Sequence, residues 1–192
     1  MIAFEAVACA RGGRLLFESV SFALAGGEAL LVRGANGTGK SSLLRLAAGL
    51  LAPVAGRITG DAPRGWMGEL HALDPELPLA RALALWATID GARDRLSAAI
   101  AAAGLAAIAD VPVRLLSTGQ RRRAALVPLI AGAMPLWLLD EPASGLDVAS
   151  VARLEGLIAA HRAGGGAVII ATHQPLDLPG AAVIDLDAAV PA

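Results

Sequence analysis

The stretch with the clearest chemistry is Gly34-Ala35-Asn36-Gly37-Thr38-Gly39-Lys40-Ser41. It fits G-x-x-x-x-G-K-[ST] at every defined position. In that pattern, backbone N–H groups curl around a phosphate and the lysine reaches its outer oxygens. The chain has sixteen basic residues, and Lys40 is the only lysine among them. A compact ammonium on a flexible stem suits a crowded phosphate pocket better than a planar guanidinium. With Ser42 opening the next helix, residues 34–42 form the expected phosphate cradle.

Three further sites supply reactive groups. Leu136-Trp137-Leu138-Leu139-Asp140-Glu141 is an apolar strand that ends in two carboxylates. In a parallel sheet, ligands sit at the C-terminal strand ends. Asp140 there can hold Mg²⁺ together with the Ser41 hydroxyl. Glu141 points elsewhere and can polarise an attacking water. Val168-Ile169-Ile170-Ala171-Thr172-His173 has the same shape, and its His173 could hydrogen-bond a γ-phosphate or that water. Leu116-Ser117-Thr118-Gly119-Gln120 precedes a helix, so a hydroxyl and backbone donors meet a positive helix end, a second anion site.

The elements that must carry these groups follow from pattern. Strand-like pieces lie at 2–8, 15–24 and 28–32, separated by Gly12-Gly13 and Gly26-Gly27. They read as an antiparallel edge feeding the strand before the glycine loop. After the loop, residues 42–50 have helical spacing and end near Gly49. Short strands are expected at 57–59 and 65–68. Residues 79–109 are alanine-rich and helical, with breaks near Asp90-Gly91 and Gly104. Residues 121–133 read as one helix bent at Pro128. A helix over 148–162, capped by Asp147, then alternates with strands at 136–139, 167–171 and 182–186. That alternation predicts a mostly parallel sheet with helices on both faces, α/β in class.

Composition narrows the function. The formal net charge is −1, which argues against a polyanion partner, so no nucleic acid is expected. Arg121-Arg122-Arg123 is the only basic cluster and reads as a solvated helix face. The single cysteine, Cys9, excludes an internal disulfide and reads as a buried small apolar residue. Apolar residues make up 56 % and mean hydropathy is +0.62. Yet the longest charge-free run, residues 124–139, is interrupted by Pro128 and Pro135, and a spanning helix needs about 20 apolar residues. Neither a transmembrane segment nor a secretion signal is expected. The chain reads as one domain over 1–192, with a helical subregion at about 79–123.

Taken together, these motifs resemble the ATP-binding cassette (ABC) family. Leu116-Ser117-Thr118-Gly119-Gln120 matches its signature L-S-x-G-Q. Asp140-Glu141-Pro142 matches its second acidic motif, Ser144-Gly145-Leu146-Asp147 its D-loop, and His173 its switch histidine. The resemblance implies a P-loop ATPase fold binding ATP and Mg²⁺, with Glu141 and His173 catalytic. It also implies that Ser117, Gly119 and Gln120 of one cassette face the ATP held by another. A second cassette, as a homodimer, is therefore an expected partner, closing with ATP and relaxing on hydrolysis.

Longer stretches are similar to one subfamily, the haem-exporter ATP-binding subunits of cytochrome c maturation. They are residues 116–126, 136–142 and 171–178. This similarity implies integral membrane partner subunits and a peripheral location on the cytoplasmic face of the bacterial inner membrane. Two positions depart from the family. The adenine-stacking aromatic is missing and Arg11 falls about there. The glutamine-loop position aligns with Glu69, with His71 close by as the alternative. The docking groove for the membrane subunits is expected within 69–90. Another export or lipoprotein-release cassette, a soluble cassette working on assemblies, and a low-turnover nucleotide-gated scaffold are the competing functions.

Overall fold

The computed structural model describes residues 1–68 and 73–189. Two sheets form its frame. Strands β1 (Ile2–Arg11), β2 (Arg14–Leu24) and β4 (Ala55–Thr59) make an antiparallel sheet in the order β2-β1-β4. Strands β3 (Ala29–Arg33), β5 (Arg64–Met67), β6 (Leu136–Asp140), β7 (Ala167–Ala171) and β8 (Ala182–Asp185) make a parallel sheet in the order β5-β6-β7-β3-β8. All five of its strands run the same way.

The central strands are apolar at consecutive positions because both faces are covered. Leu30, Val32, Leu136, Leu138, Ile169 and Ala171 face one core, shared with Phe4, Phe17 and Val20 of the antiparallel sheet and with helix α1 (Lys40–Ala47). The alternate residues Ala29, Leu31, Trp137, Leu139, Val168 and Ile170 face the other core. There they meet Leu154 and Ile158 of helix α6 (Val148–Ala163). Cys9 is buried in the first core, as expected.

A helical layer stands beside this sandwich. Helices α2 (Leu79–Ile89), α3 (Leu96–Ala102), α4 (Thr118–Ala124) and α5 (Val127–Ala131) surround a third apolar cluster built on Leu79, Leu83, Ile100, Leu105 and Val127. Two expectations are corrected here. The single bent helix over 121–133 is instead two helices, the first starting at Thr118. Pro128 sits in the first turn of α5, where its missing N–H costs nothing. The arginine cluster is a solvated face only at Arg121, which is exposed. Arg122 is buried, and Arg123 donates to the carbonyls of Ala103 (3.2 Å) and Gly104 (3.1 Å), at the C-terminal end of α3. Those carbonyls lack helical partners, and a guanidinium satisfies them.

Candidate nucleotide site

Strand β3 delivers the glycine loop from the middle of the parallel sheet. Gly34, Gly37 and Gly39 have φ of 141°, 84° and 107°, a region L side chains rarely adopt. A Cβ on Gly39 would stand 2.9 Å from the Phe17 ring, so both the backbone and the space require glycine. Within the loop, the Ala35 carbonyl is the common acceptor. Thr38 Oγ1 donates to it at 3.0 Å and Lys40 Nζ at 3.0 Å. Lys40 Nζ also donates to the Gly34 carbonyl at 2.8 Å, and this lysine is only 8 % exposed. The Ala35 N–H donates outward, to the Asp187 carboxylate at 3.0 and 3.1 Å. Asp187 was not foreseen from sequence.

A cavity of about 430 Å³ opens over this loop. Asn36, Gly37, Gly39, Lys40, Ser41 and Ser42 line one side, and Asp140 and Glu141 the other. Arg11 and Leu16 close it from the antiparallel sheet, and Arg45 of α1 joins them. Arg11 thus lines this cavity, and so does Arg45, which was missed. Ser41 and Asp140 border the same space, so a hydroxyl and a carboxylate face one cavity. Two hard oxygen donors beside a phosphate cradle fit Mg²⁺, which keeps much of its water and takes few protein ligands.

The strand tips bring the remaining groups together. Asp140 pairs in register with Ala171 across β6 and β7, so residues 141 and 172–173 emerge side by side. The Glu141 N–H donates to the Ala171 carbonyl at 2.8 Å. Its φ of 49° turns the side chain out of the strand direction. Glu141 Oε1 is 2.9 Å from His173 Nδ1, and Thr172 Oγ1 donates to Oε2 at 3.2 Å. Both carboxylate oxygens are therefore held. Thr172 is in turn fixed by the Gln174 N–H, which donates to its hydroxyl at 3.0 Å. Sequence reasoning passed over Thr172, although its place between β7 and His173 was the available signal.

The signature segment lies elsewhere. Ser117 and Gln120 form a capping box at the start of α4. The Gln120 N–H donates to Ser117 Oγ at 3.2 Å and the Ser117 N–H to Gln120 Oε1 at 2.8 Å. A Cβ on Gly119 would stand 3.3 Å from the Gly145 carbonyl, so the signature packs on the loop after Glu141. Asp147 ends that loop as the cap of α6, its carboxylate accepting from Ser150 N–H at 2.8 Å. That bond holds its pKa below the usual value. None of Ser117, Gly119 and Gln120 lines the cavity over the glycine loop. Glu69 and its alternative His71 lie outside the described residues.

The ABC transporter family matches residues 17–144, a stretch holding the glycine loop, the signature and Asp140-Glu141-Pro142. The chain belongs to the ABC transporter family. It is an ATP-binding ATPase of that family. Among curated relatives, the cytochrome c biogenesis ATP-binding export protein CcmA of Sphingopyxis alaskensis is 56 % identical over 183 residues, covering 93 % of each chain. The protein of the same name from Rhodospirillum rubrum is 49 % identical over 200 residues, covering 97 % of this chain and 86 % of its own. At these identities the cassette falls within the CcmA group.

Among solved structures, an ABC transporter in an inward-facing conformation superposes with a TM-score of 0.84 at 25 % identity. It covers 96 % of this chain and 79 % of its own. A dimeric ATP-binding cassette in a post-hydrolysis state, bound to ADP and Pi, superposes with a TM-score of 0.79 at 21 % identity, covering 91 % and 88 %. The α/β fold with a parallel core sheet and an antiparallel part is thus the ABC ATPase fold. Among the described residues no helix is long and apolar enough to cross a membrane.

Proposed function

We propose that this cassette is the ATP-hydrolysing subunit of a membrane complex that handles haem for c-type cytochrome maturation. The observation that carries the chemistry is the pairing of Glu141 with His173 and Thr172 at the strand tips, on the rim of the cavity over the glycine loop. ATP lies with its phosphates on residues 34–42 and its base toward Arg11, whose guanidinium can stack on a purine face. Ser41 and Asp140 would hold Mg²⁺, which neutralises charge on the β- and γ-phosphates when bound. Glu141 takes a proton from water as the water oxygen attacks the γ-phosphorus. The bond from that phosphorus to the bridging oxygen breaks, and ADP leaves. His173 and Thr172 fix which way the carboxylate faces, so the base is set before substrate arrives.

The signature supports a two-cassette site. A second copy would bring its Ser117, Gly119 and Gln120 over the ATP bound here, and the two-fold arrangement would make two such sites. Membrane coupling has its own support. A cleft of about 370 Å³ lies between β5 and the helical layer, lined by Trp66, Met67, Leu73, Trp86, Leu129 and Met134. Leu85 and Ile89 of α2 are exposed, at 62 % and 66 %. Apolar surface of this kind fits a covering partner, and we assign it to the integral membrane subunits. The cassette itself is then peripheral, on the cytoplasmic side of the inner membrane.

Purification of the tagged chain from detergent extracts tests this. Integral membrane subunits of cytochrome c maturation should co-purify, and the complex should hydrolyse ATP while a Lys40→Ala complex does not. Recovery of the membrane subunits of a different export system would sink the haem assignment and leave the ATPase.

A further inference from the structure

Asp187 lies 152 positions after the residue it binds and belongs to no motif of the site. It sits in a single-turn 3-10 helix, Leu186–Ala189, that follows β8. Three features hold it there. Leu186 is fully buried in the core beneath the loop. The Asp187 N–H donates to Asp185 Oδ1 at 2.9 Å. The parallel pairing of Arg33 with Asp185 aligns the end of β8 with the strand that enters the glycine loop. The carboxylate then accepts the Ala35 N–H with both oxygens.

Ala35 joins the two halves of the loop. Its N–H is occupied by Asp187, and its carbonyl takes Thr38 Oγ1 and Lys40 Nζ. The chain of contacts therefore runs from Asp187 through one residue to the lysine, and the Gly34 carbonyl, which shares a peptide group with the Ala35 N–H, accepts Lys40 Nζ as well. Gly34 shows how tightly this is built. A Cβ there would stand 2.7 Å from Thr38 Oγ1, 3.4 Å from Leu186 Cβ and 3.5 Å from Asp187 Oδ1. A glycine-rich loop has much conformational freedom to lose when it closes on a ligand. A charged acceptor on its entry removes part of that freedom in advance.

We infer that Asp187 is a positioning residue for nucleotide binding: it fixes the entry of the phosphate loop and, through Ala35, where Lys40 stands. It does not touch the reacting atoms, so it acts on ATP affinity and not on the chemical step. The inference rests on residues 34–42 being the phosphate site, and Lys40→Ala serves as the separate control on that reading.

The test uses the purified full chain, with a fluorescent ATP analogue for affinity and phosphate release for turnover. Asp187→Ala should weaken nucleotide binding about five- to ten-fold, the range for losing one ordinary hydrogen bond at an exposed site. Its kcat at saturating ATP should stay within about two-fold. Asp187→Asn keeps an oxygen acceptor and should restore affinity to within about two-fold of the parent chain. Unchanged affinity in Asp187→Ala overturns the inference, as does a fall in kcat at constant KM. An Asn variant as weak as the Ala variant overturns it as well, since charge and not the bond would then be at work. If Lys40→Ala keeps full affinity, the phosphate-site reading fails first.

Discussion

Substituting Glu141→Gln removes a charge and a base while keeping the shape of the side chain. Both carboxylate oxygens are engaged, one at 2.9 Å to His173 and one at 3.2 Å to Thr172. The amide retains one acceptor oxygen, so at most one of these contacts is weakened. The net worth of one such bond is about 1 kcal/mol, which in a chain of this size lowers the melting temperature by about 2–4 °C. The loss of a positioned base is far larger, about 10²–10⁴ in rate, or about 3–5 kcal/mol of barrier. The expected outcome is a collapse of phosphate release with ATP affinity unchanged within about two-fold. With Mg²⁺ and ATP, light scattering should show dimers accumulating, because closure proceeds and relaxation does not. Turnover within about ten-fold of the parent chain would refute the assignment of Glu141. So would a loss of turnover matched by an equal loss of ATP affinity.

Two other perturbations follow from the geometry. Gly39→Ala places a methyl 2.9 Å from the Phe17 ring at a φ of 107°. It should cost roughly 2–4 kcal/mol of stability, read by chemical denaturation, and abolish nucleotide binding. His161 stacks on Trp137 with ring centroids 4.0 Å apart and sits 3.1 Å from the Ala167 carbonyl through Nε2. Burial pushes its pKa below the ordinary 6.5, against the opposing pull of the Ala167 and Pro135 carbonyls. The unfolded chain therefore binds this proton more readily. The stabilisation is complete above about pH 6.5 and is lost as pH falls from there toward the folded-state value. Denaturation of the parent and of His161→Gln should diverge across that window, with a slope difference of at most about 1.4 kcal/mol per pH unit. Parallel pH profiles would exclude His161 as the titrating group.

The parts legible in the sequence are those where chemistry and chain order coincide. The glycine loop, Asp140-Glu141 and His173 each follow an apolar strand by one or two residues, so local pattern put them at strand ends, while a role for His173 came only from the company of the other motifs. The alternation from residue 136 onward gave the parallel sheet for the same reason. What escaped is contact between distant segments. Nothing in a lone aspartate at 187 announces a bond to Ala35. Arg122 and Arg123 read as solvated because a run of charge usually is, yet Arg122 is buried and the neighbouring end of α3 offers Arg123 carbonyls that need donors. Pro128 was expected to bend a helix, but it starts a new one. Arg45 lies four residues beyond Ser41 and three beyond Ser42 on α1 and shares their cavity, a same-face helical relation visible in retrospect.

The strand order carries a consequence for how the protein is made. Strand β3 lies between β7 and β8, so Leu30 finds its partners only at Ile169 and Ala182. During synthesis the chain emerges from its N-terminus, and this apolar strand must wait for most of the polypeptide before its edges are covered. Pairing at such distance is slow and leaves a sticky edge exposed. The antiparallel hairpin of β1 and β2 can form early, because its strands are consecutive. The nascent cassette is therefore a hairpin trailing an uncovered strand, and it should need chaperone protection until residues 167–187 have left the ribosome. A ribosome stalled before that point would hold a chain unable to retain nucleotide, although every residue of the glycine loop had already been translated.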